Sequence, residues 1–465
     1  GGESIGRAEA GRTVLPASAI LRGQYTRGSR LMHHRSTSIA LLLAACALAP
    51  AAPAEDAGSK VDEAMRAVAP RVIEWRRDLH RNPELGNREF RTSKKVAAHL
   101  EALGIEVRTG IAHTGVVGVL RGGLPGRVVA LRADMDALPV TERAEVPFRS
   151  AVTTEYRGEK VGVMHACGHD GHTAILMGVA EVLAGLRKQL AGTVVFVFQP
   201  AEEGAPEGEE GGAPLMLKEG VFRDLKPEAM FGLHLWAPLN AGQVGYRVGA
   251  LMAAADAFRI AVTGRQTHGS RPWSGVDPIV AASAIVTDLQ TVVSRQTDIS
   301  RWPAVVSVGA IKGGIRFNII PDSVEMLGTI RTFDPTVRDQ VIANMRRKIE
   351  HVAAAHGATA TLEILPGSNP VTANDLDLTR RMLPVLAYAV GGDNVVEVPF
   401  VTGAEDFSYF ALEVPSVFVL VGSTAQGHDA AEAPVNHSPL YFVDESSLDV
   451  GLRALVAMTL DYLRE

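Results

Sequence analysis

The sequence predicts an α/β protein, in which a mixed-sheet α/β domain is interrupted by a smaller ferredoxin-like domain. Three observations predict it. Strand and helix patterns alternate over residues 60–251, which requires helices laid on the faces of a sheet. From 252 to 367 the order becomes β-α-β-β-α-β, that of a ferredoxin-like unit. From 368 to 465 the first pattern returns. A chain of 465 residues is also too long for one ordinary domain. With 46% hydrophobic and 21% charged residues it has the apolar surface to build a core.

The elements follow in order. Residues 59–79 read as a helix with Val72, Trp75 and Leu79 on one face. Pro70 is a candidate break in it, and Asn82-Pro83 ends it. Residues 92–103 form a second helix. Strands at 116–120 and 127–131 are separated by a Gly/Pro turn. A helix at 171–186 precedes 193–198, a near-continuous apolar strand of the kind buried on both faces. A short strand spans 230–235. The inserted region reads as strand 257–262, helix 278–297, strands 304–311 and 323–333, helix 336–356 and strand 359–365. Helix 375–390, strand 416–421 and helix 445–463 complete the outer domain.

Residues 1–54 stand apart. Residues 1–31 show no sustained periodicity and read as an upstream extension. Met32 is followed by His33, His34 and Arg35, an apolar run from Ile39 to Leu48, and Ala52-Pro53-Ala54. This is the layout of a secretory signal peptide. The run is shorter than the roughly 20 residues that span a bilayer. A rival reading takes Leu43-Ala44-Ala45-Cys46 as a lipoprotein cleavage site, with Cys46 lipidated. The expectation is an exported protein of the bacterial periplasm. The segment holds six Arg and two Glu, so a mature chain of 411 residues carries a formal charge of −10 rather than −6. That acidity argues against a nucleic-acid partner held by a basic surface. Two cysteines exclude a disulfide scaffold and a four-cysteine zinc site. After export only Cys167 is left.

Five polar segments fall in or after strands, where open α/β sheets bind ligands. Arg132-Ala133-Asp134-Met135-Asp136 offers paired carboxylates that suit a metal or an orienting role; capping is the plain alternative. His165-Ala166-Cys167-Gly168-His169-Asp170-Gly171-His172 puts three histidines and a cysteine in eight positions, a ligand-rich cluster for zinc and related ions. In an extended loop, alternation would point Cys167 and His169 the same way. Glu202-Glu203 ends a buried strand, where adjacent carboxylates need a cation or a proton. One can bind metal while the other faces a water; a solvated acidic loop with Glu207, Glu209 and Glu210 is the alternative. His234, inside an apolar strand, reads equally as a core histidine. His437, in Asn436-His437-Ser438-Pro439, and the acidic pair Glu405-Asp406 are ambiguous by themselves.

In this order the segments resemble the metal-dependent amidohydrolases and carboxypeptidases that include hippurate hydrolases, N-acyl-amino-acid hydrolases and indoleacetyl-amino-acid hydrolases. The resemblance runs from about Val68 to the C-terminus. It also draws on Asp78-Leu79-His80-Arg81-Asn82-Pro83-Glu84, Thr267-His268 and Asn318-Ile319-Ile320-Pro321. It implies two divalent ions (Zn, Mn, Co or Ni) on Cys167, His169, Glu203, His234 and His437. Glu202 would be the general base, and Asp136 would orient part of the site. The inserted domain would be a lid and dimerisation domain. Its His268 would reach the scissile carbonyl, often from a partner subunit of a homodimer. Asn318 and Arg331 would hold the substrate carboxylate, for which a guanidinium is suited. The implied reaction is hydrolysis of N-acyl amino acids or C-terminal peptide bonds. One stretch departs from the family: Gly269-Ser270-Arg271-Pro272-Trp273 replaces small apolar residues. A non-hydrolytic metal- or peptide-binding protein and a structural zinc site are the alternatives. Against the former stand the intact glutamate pair and all five ligands.

Overall fold

The computed structural model describes residues 55–464. The expectations for residues 1–54, including the signal peptide and Cys46, lie outside the described residues.

The main sheet has eight strands. Their spatial order is Glu106–Ile111, Gly115–Arg121, Ala191–Gln199, Leu124–Asp134, Ala229–Asn240, Ser416–Thr424, Val244–Tyr246 and Val395–Glu397. The four central strands run parallel. Their sequences explain their place: Ser416–Thr424 is buried at every position, and a strand covered on both faces needs no polar alternation. Alternation sorts their side chains between two cores instead. Val194, Phe196 and Phe198 face helices Glu55–Arg81, Phe90–Ala102, His169–Gly185 and Ser446–Leu463, while Val195 and Val197 face the short helices Gly212–Lys218 and Phe407–Glu413.

The second sheet is antiparallel, in the order Ala304–Gly313, Ser323–Thr332, Ala254–Thr263, Thr359–Ile364. Helices Pro278–Gln296 and Pro335–Ala355 cover one face, so its strands do alternate; Phe258, Ile260 and Val262 point inward against Ile285, Leu289 and Met345. Asp277 and Asp334 accept the first free N–H groups of the two helices, each followed by proline at the first helical position. The chain order is the expected β-α-β-β-α-β.

Three expectations change. Pro70 does not break the first helix, which runs unbroken from Glu55 to Arg81. The proline is exposed, while Met65 and Val68 before it and Val72 after it are buried in one core. Packing on both sides outweighs the lost hydrogen bond. The third long helix begins at His169, two residues earlier than expected. Short strands such as Glu106–Ile111 and the pair Thr153–Tyr156 and Glu159–Gly162 carry too little apolar pattern to be read.

Replacing Pro70 by Ala restores a main-chain donor on an exposed face. The protein should gain stability, by up to about 3 kcal/mol, seen as a higher denaturation midpoint. A lower midpoint would show that the helix draws something else from this proline.

Candidate active site

The site forms where the parallel strands end. Asp134 closes Leu124–Asp134 opposite Gln199, the last residue of Ala191–Gln199. His234 lies in Ala229–Asn240, opposite Leu420. The following loops supply Asp136, Glu202 and Glu203, the segment entering the helix at His169 supplies Cys167 and His169, and the loop after Ser416–Thr424 supplies His437. Gly168 turns the chain into that helix at φ 102°, where a Cβ would lie 3.1 Å from Tyr441 Oη and 3.2 Å from Leu235 Cβ. Cys167 and His169 therefore converge through a glycine turn, and not by alternation in an extended loop as the spacing predicts. His437 has a left-handed φ of 73°, a conformation costing a non-glycine residue about 1–3 kcal/mol. Its N–H donates to the Ala166 carbonyl at 2.7 Å. Asn436 Nδ2 donates to the carbonyls of Cys167 and Leu235.

All five expected donors meet here. The ligand atoms of Cys167, His169 and His234 lie within 4.8 Å of one another, as do those of Cys167, Glu203 and His437, and those of His169, Glu202 and Glu203. Cys167 Sγ is 3.3 Å from His234 Nε2, and His437 Nε2 is 3.0 Å from Glu203 Oε1. Asp136 ties two donors together. Its carbonyl accepts His169 Nδ1–H at 2.9 Å, and its Oδ2 accepts the Glu203 N–H at 2.9 Å. A carbonyl can only accept, so Nδ1 carries a proton and Nε2 is the atom turned inward. That Nε2 is buried without a hydrogen-bond partner. His80 steadies the start of the helix from behind, with Nδ1 2.9 Å from Asp170 and Nε2 3.0 Å from Glu142.

Arg132 and His172 stand in segments noted in the sequence, but neither was assigned a role there. Arg132, fully buried, donates to Asp134 at 2.7 Å, Glu405 at 2.7 Å, Asp406 at 3.1 Å and Gln199 at 2.9 Å. His172 Nδ1 meets Asp134 at 2.6 Å, and its Nε2 accepts the Leu235 N–H at 2.7 Å. The available signals were a lone arginine in an apolar strand and a histidine one turn beyond His169.

The electrostatics follow from crowding. Burial pushes Glu202 well above the ordinary carboxylate range, and Glu405, Glu203 and Asp406 push the same way against Arg132. Burial also raises the Cys167 thiol strongly, with Glu203 and Glu202 adding to it. Burial alone would lower His169, but Asp134 and Asp136 outweigh it and hold the imidazole at about 10. Burial and His172 keep His234 far below its usual value. Excess buried negative charge, an inward-facing His169 Nε2 without a partner and a mixed S, N and O donor set together fit divalent cations.

The second sheet's candidates stand apart from this cluster. His268 is exposed and pairs with Ile319; the Gly269 N–H donates to the Asn318 carbonyl, so His268 and Asn318 are neighbours. Arg331 lies opposite Ala255, whereas His268 and Asn318 lie beyond the other end of the strand, past Ser323. Eight strand residues at about 3.3 Å each put roughly 25 Å between the two ends.

The comparisons agree with this geometry. Residues 130–461 match peptidase family M20/M25/M40. IAA-amino acid hydrolase ILR1-like 2 of Arabidopsis thaliana is 40% identical over 406 residues, covering 86% of this chain and 88% of that protein. Thermostable carboxypeptidase 2 of Saccharolobus solfataricus is 38% identical over 408 residues, covering 88% and 99%. The crystal structure of the Bacillus subtilis YXEP protein, described as a dinuclear metal-binding peptidase, superposes with a TM-score of 0.70 at 35% identity, covering 86% and 99%.

Metal uptake by metal-free protein should release protons near pH 8. The Cys167 thiol, raised strongly by burial, and the His169 imidazole, held at about 10, are both protonated there, and each loses a proton to coordinate. Affinity should rise with pH toward about 10 as proton competition falls. Calorimetry in buffers of different ionisation enthalpy counts the protons; uptake without release would remove this pair from the donor set.

Proposed function

The chain belongs to peptidase family M20/M25/M40, and from that premise we propose that it hydrolyses the amide bond of N-acyl, hippurate-like amino acids or a C-terminal peptide bond, with Glu202 moving the proton. As a family member it is an amidohydrolase or metallopeptidase. The observation that carries the finer reading is Glu202. Its side chain is 8% exposed, its Oε2 lies 3.9 Å from His169 Nε2, and its surroundings favour the protonated form. A carboxylate so placed takes a proton readily and can hand it on.

Two divalent ions on Cys167, His169, Glu203, His234 and His437 would supply Lewis acidity toward a water and the amide carbonyl. Glu202 accepts the water proton as its oxygen bonds to the carbonyl carbon. It then delivers that proton to the amine as the C–N bond breaks. Asp136 keeps His169 and Glu203 in register throughout. Arg331 holds the substrate carboxylate through both oxygens, and His268 donates to the developing oxyanion, a contact worth roughly 3 kcal/mol of barrier.

The spacing of the second sheet favours a homodimer. One chain does not bring His268 and Asn318 to the carboxylate that Arg331 binds. A second copy across the edge strand Ala304–Gly313 would, with the partner subunit's His268 and the partner subunit's Asn318 completing the site. That edge and the loop after it expose Ile311, Ile315 and Phe317 at 57%, 100% and 95%. Export to the periplasm belongs to the same reading and rests on residues 32–54. No helix among the described residues is long and apolar enough to cross a membrane.

Glu202→Gln should keep its metal and lose about 10²–10⁴-fold in turnover of N-acyl amino acids; full residual activity would sink the assignment. Mixing inactive Glu202→Gln with inactive His268→Ala protein should restore up to about a quarter of wild-type activity, because in a symmetric dimer one mixed site in each heterodimer is intact. No recovery after subunit exchange would place His268 within its own chain's site.

A further inference from the structure

Glu202 and Glu203 are the two corner residues of a tight turn, which the Gly204 N–H closes onto the Ala201 carbonyl at 3.3 Å. The chain enters this turn through Ala201, whose φ of 50° lies in the left-handed region. An alanine is strained there, and it stays only where its surroundings hold it. Ala201 is buried, and its methyl sits between two glycines; a Cβ at Gly86 or at Gly211 would lie 3.1 Å from it. The glycines make room for the conformation but do not enforce it.

The enforcing contact comes from Glu89. Its Oε1 accepts the Ala201 N–H at 2.9 Å, and its Oε2 accepts the Thr114 hydroxyl at 2.5 Å. Glu89 stands at the start of helix Phe90–Ala102, where capping is the ordinary task of an acidic side chain. Its side chain makes no cap bond there, and it is fully buried. Burial and the Asp136 charge push the carboxyl up to about 8, the mark of a group held where solvent would suit it better. From the other side Asp136 accepts the Glu203 N–H at 2.9 Å. The turn is thus clamped at its entry by Glu89 and past its first corner by Asp136, with Glu202 between the two clamps.

We propose that Glu89 is a positioning residue: by holding Ala201 left-handed it aims the Glu202 side chain into the donor cluster, a role that rests on the hydrolase reading above. Without that bond Ala201 relaxes to a negative φ, and the direction of the next side chain turns with it.

Manganese-loaded Glu89→Ala should keep KM for an N-acyl amino acid and lower kcat about tenfold to hundredfold, the scale of one released strained residue. Glu89→Gln should recover most of that loss, because its amide oxygen accepts from Ala201 while its NH2 group donates to the Thr114 hydroxyl. Adding Ala201→Gly to Glu89→Ala should also raise kcat, since glycine takes a left-handed φ without strain. In metal-free protein, hydrogen exchange of the peptide over residues 196–206 should quicken in Glu89→Ala and not in Glu89→Gln. Should Glu89→Ala not fold, Glu89→Met fills the same space without accepting a bond and takes its place. A role in stability alone would lower the denaturation midpoint and leave kcat of the folded enzyme unmoved, and that result overturns the assignment. Exchange at the turn no faster than in the wild type overturns it equally. If the wild type hydrolyses no N-acyl amino acid, the hydrolase reading fails, and the exchange measurement still decides whether Glu89 holds the turn.

Discussion

Too many carboxylates share one dry hollow, and the rest of the structure answers to that. Asp134, Asp136, Glu202, Glu203, Glu405 and Asp406 gather at the ends of the parallel strands, and Arg132 sits among four of them. In a low-dielectric space like charges cannot all ionise unless cations or protons offset them. The protein uses several offsets at once. Arg132 spans Asp134, Glu405 and Asp406; His169 and His172 lean on Asp134; Glu202 is driven toward its protonated form. What is left over is a negative hollow edged by a thiol and imidazoles, the electrostatic shape of a metal site. A buried ion pair of this kind is not a source of net stability, but breaking it is costly, about 3–5 kcal/mol when one partner is removed. Arg132 therefore serves the site by making its acidity tolerable to the fold.

How much of this was legible depends on how local each signal is. The central strands could be read because burial on both faces writes a continuous apolar run, as in 193–198. The donors could be read because Cys167 and His169 are rare residues set close together and Glu202-Glu203 are adjacent carboxylates at the end of an apolar strand. Other features had no such signature. Arg132 and Glu405 lie 273 positions apart, and nothing in either segment announces the other. The convergence of Cys167 and His169 was expected from strand alternation, yet it is made by a left-handed glycine whose need is evident only once Tyr441 and Leu235 close over it. Pro70 shows the reverse case. A local rule made it a candidate break in the helix, and packing contributed by other parts of the chain outweighs that rule.

The second sheet carries a different lesson. Its element order was plain in the sequence, and the structure adds the caps Asp277 and Asp334, each followed by a proline. Its contribution to a site was not plain, because that depends on which end of a strand each residue occupies. Asn318 and Arg331 read along the chain as one carboxylate-binding pair. Placed on the sheet they lie at opposite ends of a strand, with His268 beside Asn318.

The position of Ser416–Thr424 has a consequence for when the protein becomes whole. This strand lies in the middle of the main sheet, beside Ala229–Asn240, although the entire second sheet intervenes in the chain. Contacts of such sequence separation form late and slowly. His437 comes later still. The nascent chain thus carries four of the five candidate donors before the strand that completes the sheet has been made, and the set closes only with the loop after that strand.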